Sequence, residues 1–222
     1  MANGKTILIL GASRGIGLGL AEEFSRRGWR VIASERTKSE ALRAHAGVDV
    51  VTADVTDPDS YADLDVFDGS LDAVLVNAGI SGARHQSADK ATADEVADVM
   101  MTNAFGPARA GRAMLPKLKD GGTLAFMSSL MGSVADSSGG YELYRSSKAA
   151  QNMLAKGIAE QDAKSRDVEV LSLHPGWVQT DMGGPNATLT VEQSVQGLAD
   201  VIEGAGGAGY RFLDYSGKAL SF

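Results

Sequence analysis

The stretch TILILGASRGIG at residues 6–17 decides the fold. Its first five residues form a continuous apolar run with the length and branching of a buried strand. Gly11, Gly15 and Gly17 follow at G-x-x-x-G-x-G spacing, and a helical pattern starts inside the loop. Such a loop can turn sharply and bring its backbone N–H groups against a pyrophosphate at the helix N-terminus. The stretch therefore predicts a dinucleotide-binding turn.

Apolar runs and helical stretches alternate along the rest of the chain. Further strands are predicted at RVIAS, VDVVTAD, LDAVLVNAG, GTLAFMSS, VEVLSLHPG and GYRFLDYSGK. Continuous apolar strands are buried on both faces, which is typical of a parallel sheet covered by helices. We predict one α/β domain over residues 1–222, doubly wound and Rossmann-type, with a mainly parallel sheet. We expect a cofactor half over roughly 1–125 and a catalytic and substrate half over roughly 126–222.

The helical stretches carry their own boundary signals. The first helix is expected to end at Gly28, a C′ glycine. A polar helix is predicted over Ser39–Ala46. A long helical stretch at 93–118 is expected to break or bend near Gly106-Pro107. The acidic segment DVTDPDSYADLDVFDGSLD matches no metal-loop spacing, so it is interpreted as a solvated loop with a short helix.

Composition excludes several classes of protein. The chain has 222 residues, 44% of them hydrophobic, and a net charge of −7. The acidic balance disfavours nucleic acid and anionic membranes as partners. There is no cysteine, and the three histidines have no neighbours at metal-ligand spacing, so no metal site is predicted. Met1–Lys5 leads directly into a strand pattern, so we expect no signal peptide and a cytoplasmic protein.

Further motifs follow the glycine loop in order. They are NAG at 77–79, Asn103 in MTNAFGP, SS at 128–129, Tyr144-x-x-x-Lys148, and HPGWVQTDMGG at 174–184. Together with GASRGIG, this series resembles the short-chain dehydrogenase/reductase family over essentially the whole chain. The segments around Tyr144 and His174 more narrowly resemble the C-factor-like and sniffer-like carbonyl reductases.

The resemblance implies four catalytic residues. Tyr144 would be the general acid in reduction and the base in oxidation. Lys148 would hold the nicotinamide ribose and lower the pKa of the tyrosine. A serine would donate a hydrogen bond to the carbonyl oxygen, and Asn103 would support a water that leads protons to Lys148. The second serine, Ser129, carries this role in the resembling motif, and Ser128 remains the alternative because a one-residue shift in strand register exchanges the two faces.

The resemblance also implies the positions that surround a nicotinamide dinucleotide. The NAG residues would lie along the adenine ribose, Asp54 and Val55 would edge the adenine, and the HPGWVQT residues would flank the nicotinamide. The predicted cofactor residues are Gly11, Ser13, Arg14, Gly15, Ile16, Gly17, Glu35, Arg36, Asp54, Val55, Asn77, Ala78, Gly79, Tyr144, Lys148, Pro175, Gly176, Val178 and Thr180. One departure is Leu10, where the family usually has threonine.

The chemistry of the tyrosine and the lysine can be argued without the family. A free tyrosine has a pKa of about 10, which is too high for useful proton exchange at neutral pH. An ammonium group one helical turn away favours the phenolate. A hydroxyl donor opposite the tyrosine completes a small oxyanion site. The hydride comes from the cofactor, so neither a thiol nor a metal is needed.

The choice between NAD and NADP rests on three side chains. Glu35 lies 18 residues after Gly17, where a carboxylate can accept hydrogen bonds from the ribose diol of NAD. Arg36 and Arg14 could instead bind the 2′-phosphate of NADP. Because Glu35 would be the group closest to the ribose, NAD is favoured, with dual use left open.

The substrate side is predicted from the short segment DMGGPNATLT that follows Thr180. A short lid implies a shallow, open or mobile pocket. Its candidate wall residues are apolar or aromatic: Leu130, Met131, Tyr141, Trp177 and Met182. We therefore expect a small uncharged ketone, aldehyde or alcohol, with room for a hydrophobic one. For each wall residue the other interpretation is core packing.

Two functions are compatible with these residues. The first is an NAD(P)-dependent carbonyl reductase or alcohol dehydrogenase, favoured because a pure binding module needs no serine, tyrosine, lysine and asparagine together. The second is a dinucleotide-binding signalling or regulatory protein of C-factor type with little turnover. In this family the helices at 93–118 and 142–163 build the dimer, so we also expect a homodimer or homotetramer.

Overall fold

The computed structural model describes residues 4–222, apart from the side chains of residues 62, 63, 65 and 66. The strands of this part of the chain are β1 Thr6–Leu10, β2 Arg30–Glu35, β3 Val48–Thr52, β4 Leu71–Val76, β5 Leu118–Met127, β6 Glu169–His174 and β7 Gly209–Asp214. The α-helices are α1 Gly15–Arg26, α2 Glu40–Arg43, α3 Ala93–Met100, α4 Gly106–Met114, α5 Glu142–Ile158 and α6 Val191–Glu203. Residues 1–3, on which the expected lack of a signal peptide partly rests, lie outside the described chain.

The strands form one sheet in the order β3-β2-β1-β4-β5-β6-β7, and every described strand pair in it is parallel. This confirms the predicted doubly wound Rossmann-type fold. The chain winds outward from β1 to β3 in one direction and from β4 to β7 in the other. In open α/β sheets of this kind, the point where the winding direction changes leaves a crevice at the carboxyl ends of the strands. Here that point lies between β1 and β4.

Alternate side chains of β1 show how the sheet is covered on both faces. Ile7 and Ile9 pack into one buried cluster with apolar side chains of α1 and α6. Leu8 and Leu10 pack into a second cluster with α4 and α5. All four side chains are fully buried. The continuous apolar run of β1 therefore reflects burial of the strand between two layers of helices, as predicted.

The helix boundaries partly follow the sequence signals. Gly28 has a φ of +81° and follows the C-cap of α1, as predicted for a C′ glycine. The helix predicted over Ser39–Ala46 is shorter, because α2 covers only Glu40–Arg43 with Ser39 as its N-cap. The acidic segment contains a 3-10 helix at Pro58–Phe67. No helix of the described chain is long and apolar enough to cross a bilayer.

The long helical stretch is irregular near Gly106-Pro107, as predicted. A π-helical turn at Met101–Phe105 separates α3 from α4, so the break precedes Gly106-Pro107. Pro107 has no N–H to donate to the preceding turn and its ring crowds a carbonyl there, which favours a widened turn just before it. The Cα of Gly106 also lies too close to the Val55 carbonyl oxygen for a side chain, since a Cβ there would be 2.8 Å away.

Gly111 sets the distance between α4 and the sheet. A Cβ at this position would lie 2.5 Å from the ring of Phe126 in β5. Gly157 in α5 offers a matched contrast, because a Cβ there would have no neighbour within 4 Å.

We expect Gly111→Ala to lower the free energy of unfolding by about 1–3 kcal/mol, because it overpacks the core. Gly157→Ala should raise it by about 0.5–1 kcal/mol through helix propensity. Urea unfolding of the two variants measures both changes. Equal effects from the two substitutions would contradict the close approach of α4 to Phe126.

Candidate active site

The glycine loop is fixed by hydrogen bonds from the strands on either side of β1. Ser34 of β2 accepts the Gly11 N–H through its hydroxyl, at 2.9 Å, and the Asn77 amide donates to the Gly11 carbonyl at 2.7 Å. A Cβ on Gly17 would lie 2.2 Å from that carbonyl and 2.6 Å from the Asn77 amide nitrogen. Gly17 therefore has to be glycine because the loop folds tightly against the start of α1.

The loop and the cleft beside it fit a dinucleotide. Gly11 and Gly15 have positive φ values of +91° and +57°, which bring the backbone itself to the surface of the cleft. The side chain of Arg14, the N-cap residue of α1, makes no capping hydrogen bond, so it leaves the first turn of the helix open to an anion. The cleft has a volume of about 440 Å³, within the range of small-molecule sites.

Most predicted cofactor residues line this cleft. They are Gly11, Ser13, Arg14, Gly15, Ile16, Arg36, Asp54, Val55, Asn77, Ala78, Gly79, Tyr144, Lys148, Pro175 and Thr180. Four do not, namely Gly17, Glu35, Gly176 and Val178. Gly176 and Val178 instead pack beneath the segment after Thr180, since a Cβ on Gly176 would lie 2.3 Å from Leu189 and Val178 bridges to Leu189. The cleft draws residues from both predicted halves of the chain.

Glu35 is placed differently from the expectation that favoured NAD. Its side chain is 2% exposed. Its carboxylate accepts hydrogen bonds from Arg43, with Nε–Oε1 at 2.7 Å, and from the Ser39 N–H at 2.7 Å. The Arg43 hydrogen bond holds the pKa of this carboxyl below its ordinary value. The premise that Glu35 faces a ribose diol is therefore wrong in this structure, because its oxygens serve α2.

Two arginines, Arg14 and Arg36, do line the cleft. Arg36 is exposed, and its nearest acidic partner is Asp54, with Nη1–Oδ2 at 3.8 Å. Arg14 is also exposed and pairs with Asp181 across the mouth of the cleft at 2.7 Å. Exposed pairs of this kind contribute little to stability, so an incoming anion can compete for both guanidinium groups.

Lys148, on α5, buries its ammonium group against the carboxyl end of β5. Its ammonium group donates to the Met127 carbonyl at 2.9 Å and to the Gln151 side-chain oxygen at 3.2 Å. Its Nζ lies 5.9 Å from the centre of the Tyr144 ring. Burial lowers the pKa of Lys148 to about 7, because the charged form loses its hydration.

Tyr144 lies in the first turn of α5 with its ring at the cleft, and one of the two candidate serines contacts it. Burial raises the pKa of Tyr144, and a hydrogen bond with the Ser129 side chain partly opposes that rise. The Ser128 hydroxyl donates instead to the Asn152 amide oxygen at 2.6 Å. The two serines at the end of β5 therefore serve different partners, with Ser129 beside the tyrosine.

Asn103 occupies the π-helical turn and is fully buried. Its amide accepts from the Ile80 N–H at 2.8 Å and donates to the Ile80 carbonyl at 2.9 Å. It also donates to the Ser147 hydroxyl at 3.1 Å. A Cβ on Gly79 would lie 3.3 Å from the Asn103 oxygen and 3.4 Å from the Lys148 nitrogen, so both polar groups approach the NAG turn.

The predicted substrate-wall residues are apolar or aromatic side chains that are partly or largely exposed. Tyr141, Trp177 and Met182 are 65%, 53% and 48% exposed, and Leu130 is also exposed, so core packing does not account for them. Met182 lines the cleft itself, while Leu130, Met131, Tyr141 and Trp177 lie outside its lining. The segment after Thr180 is tied back to the protein, because Trp177 Nε1 donates to the Gly183 carbonyl at 2.8 Å and the Gln179 N–H to the Leu189 carbonyl at 2.9 Å.

Several residues of the site carried no recognisable signal in the sequence. Gln151 contacts Lys148, and Gln86 contacts Tyr144 from a loop 58 residues away. Thr102, Gln179 and Asp181 line the cleft. Gln151 lies three residues after Lys148 on the same helix, so its helical spacing was the one available signal.

Comparison with known proteins agrees with this geometry. Residues 5–189 match the short chain dehydrogenase family. The C-signal protein of Myxococcus xanthus is 43% identical over 159 residues, which cover 70% of this chain and 95% of that protein. The structure of a carbonyl reductase from Pseudomonas aeruginosa in complex with NADP is 39% identical with a TM-score of 0.89, over 98% of this chain and 99% of that one. The carbonyl reductase Sniffer of D. melanogaster is 29% identical with a TM-score of 0.88, over 98% and 99%.

The chain belongs to the short-chain dehydrogenase/reductase family. It is therefore an oxidoreductase that uses a nicotinamide dinucleotide. The predicted resemblance to C-factor-like and sniffer-like carbonyl reductases is confirmed by these similarities.

The buried ammonium group makes a prediction about stability. Lys148 titrates at 10.5 in the unfolded chain and at about 7 in the folded protein. Between these values the unfolded state binds more protons, so the contribution of Lys148 to the free energy of unfolding rises with pH. We expect the stability of Lys148→Met, relative to wild type, to be highest at pH 6 and to fall by about 2–5 kcal/mol toward pH 10.

Urea unfolding of both proteins without cofactor, across this pH range, measures the difference. Other titrating groups cancel because they are common to the two proteins. A difference that does not change with pH would contradict a buried Lys148 with a lowered pKa.

Proposed function

We propose that the protein is an NADP-dependent carbonyl reductase that acts on small, uncharged, hydrophobic ketones or aldehydes. The observation that carries this proposal is the convergence of Tyr144, Ser129 and Lys148 at the carboxyl end of β5, beside a cleft lined by the glycine loop. The bound nicotinamide supplies the hydride. The chain itself supplies the proton, the hydrogen bonds and the walls of the site.

Tyr144 acts as the proton donor in reduction. Burial raises the pKa of its phenol, so efficient proton donation depends on the Lys148 ammonium group, 5.9 Å from the ring centre, to bring that pKa back toward neutrality. Ser129 donates its hydroxyl to the same carbonyl oxygen, so that two donors stabilise the charge that develops there. The contact between the Ser129 and Tyr144 side chains supports this pairing, whereas Ser128, which lines the cleft, donates its hydroxyl to Asn152.

Lys148 and Asn103 support the tyrosine from behind. A lysine with a pKa of about 7 exchanges its proton readily at neutral pH, so it can return a proton toward Tyr144 after turnover. Asn103 approaches the same Gly79 as the Lys148 ammonium group and fixes the Ile80 backbone through two hydrogen bonds. Asn103 thereby holds the NAG turn against the cleft.

NADP, rather than NAD, is the cofactor that the charges favour. Arg14 and Arg36 are exposed at the cleft, and the Glu35 carboxylate that would repel a 2′-phosphate is turned into α2. The NADP complex of the similar carbonyl reductase agrees with this choice. The earlier preference for NAD depended on Glu35 facing the ribose.

The walls of the site favour an uncharged substrate. Tyr141, Trp177 and Met182 offer exposed apolar surface. Arg145, the nearest helical cation to Tyr144 in sequence, donates to the Gly140 carbonyl at 2.9 Å. The signalling alternative without turnover is not favoured, because a binding role does not require the Tyr144, Ser129 and Lys148 set. We also propose an oligomer, whose interface would use exposed side chains of the two long helical stretches such as Phe105 and Met153. A cytoplasmic location is part of the same proposal.

Tyr144→Phe should lower kcat for an uncharged aromatic ketone by about 10²–10⁴-fold, because the proton donor is lost. Ser129→Ala should lower kcat strongly, and Ser128→Ala should lower it far less. The measurement is steady-state oxidation of NADPH, with the dissociation constant for NADPH as a control that should stay nearly constant. Wild-type-like turnover by Tyr144→Phe would refute the proposal, and a larger effect at Ser128 would refute the choice of serine.

Arg36→Ala should weaken NADPH binding by about tenfold or more, the equivalent of one charge-assisted pair, and leave NADH binding nearly unchanged. Arg30→Ala is the matched control, because Arg30 lies at the other end of β2, is equally exposed and pairs with Asp49. Titration of each variant with both cofactors measures the change. A wild type that binds NADH tenfold more tightly than NADPH would overturn the proposed choice.

A further inference from the structure

The N-terminus of α5, where Tyr144 lies, has no cap of its own. Its N-cap residue, Tyr141, has a φ of +48° and makes no capping hydrogen bond through its side chain. The two residues before it, Gly139 and Gly140, also have positive φ values. The first N–H groups of a helix have no partner within the helix and need one from outside.

Gln86 supplies the missing partners from a distant loop. Its backbone carbonyl accepts the Leu143 N–H at 2.8 Å, and its side-chain oxygen accepts the Tyr144 N–H at 3.1 Å. These are the two positions that an N-cap side chain ordinarily serves. The residue that caps the catalytic helix is therefore 58 positions away in sequence.

The same glutamine is held in place from its own side. Its amide nitrogen donates to the Ser81 carbonyl at 3.3 Å and to the Ala83 carbonyl at 3.2 Å. A reciprocal hydrogen bond joins the same two segments, since the Ala88 N–H donates to the Glu142 carboxylate at 2.7 Å. The side-chain oxygen of Gln86 is thus aimed at the helix by a folded loop.

This loop begins at the cofactor cleft. Gly79 and Ile80 line the cleft, and Asn103 holds both polar groups of the Ile80 backbone. Gln86 follows six residues later and ends on the peptide N–H of Tyr144. One short, hydrogen-bonded segment therefore connects the wall of the cleft to the backbone of the proposed proton donor.

We propose that Gln86 is a positioning residue for Tyr144. By fixing the first turn of α5, Gln86 fixes the position of the Tyr144 Cα. The distance from the Tyr144 hydroxyl to Ser129 and to the substrate depends on that position. A displacement of the acid by a fraction of an ångström is costly because proton transfer depends on hydrogen-bond distance. The inference rests on the proposed role of Tyr144.

Gln86→Leu tests this, because it keeps the backbone acceptor and removes the side-chain oxygen, together with the amide donor to Ser81 and Ala83. We expect kcat to fall by about 10–100-fold, while the dissociation constant for NADPH stays within about twofold of wild type. Gln193→Leu is the matched control. Gln193 also caps a helix, since its side-chain oxygen accepts the Thr190 N–H of α6 at 3.0 Å. Its loss should lower the melting temperature and leave kcat unchanged.

Gln86→Glu provides the conservative rescue. A carboxylate keeps the acceptor for the Tyr144 N–H and is favoured at a helix N-terminus, while it loses the amide donor to Ser81 and Ala83 just as leucine does. The two variants therefore differ in the acceptor, and kcat of Gln86→Glu should return to within about threefold of wild type. This variant also decides the matter if Gln86→Leu does not fold, because a folded Gln86→Glu protein with a strongly reduced kcat contradicts the proposal.

The outcomes separate this inference from the proposed function. An active Gln86→Leu beside an inactive Tyr144→Phe overturns the role of Gln86 alone, and an active Tyr144→Phe overturns the proposed function. An equal loss of kcat in Gln86→Leu and Gln193→Leu, or a parallel loss of NADPH binding, shows general destabilisation and also overturns the role of Gln86.

Discussion

The hydrogen bond between the buried Lys148 ammonium group and the Met127 carbonyl joins the sheet to the helix that carries Tyr144. Burying an ammonium ion is unfavourable, and the structure offsets this with only two neutral acceptors, from Met127 and Gln151. Such a group is hard to explain by stability alone. Its position at the carboxyl end of β5, one helical turn from a tyrosine at the cleft, explains it as chemistry.

The lysine projects from α5 into a crevice that the sheet itself defines. The sheet changes winding direction between β1 and β4, and the crevice there receives the glycine loop, the NAG turn and the end of β5 together. Asn77 ties the loop to β4, and Asn103 ties the NAG turn to the π-helical turn. The polar groups that surround the cleft are therefore held by backbone partners before any ligand arrives, which lowers the reorganisation required during reaction.

The sequence predicted those features that depend on local pattern. The seven strands, Gly28, and the loop of Gly11, Gly15 and Gly17 each follow from periodicity or from backbone conformation at a single residue. The helix break near Gly106-Pro107 was also predicted, but its π-helical form at Met101–Phe105 was not, because it involves the close approach of Gly106 to the Val55 carbonyl as well as Pro107.

The sequence could not predict which of several available partners a side chain contacts in the folded protein. The Glu35 carboxylate could face the cleft or α2, and its hydrogen bond with Arg43, eight residues later, directs it toward α2. Gln86 and Tyr144 are joined only through the tertiary fold. Ser128 and Ser129 alternate on one strand end, and their tertiary partners, Asn152 and Tyr144, distinguish them. In each case spacing along the chain carries no information about which partner is closer.

A carbonyl panel in wild-type protein tests the central claim most directly. The rate of NADPH oxidation should be measured with uncharged aromatic and aliphatic ketones and aldehydes, each beside an analogue of equal size that carries a carboxylate. The account predicts turnover of the uncharged compounds, with kcat/KM rising with apolar surface and falling sharply for each carboxylate. The absence of hydride transfer to every compound with both NADPH and NADH, or a preference for the carboxylates, would contradict it.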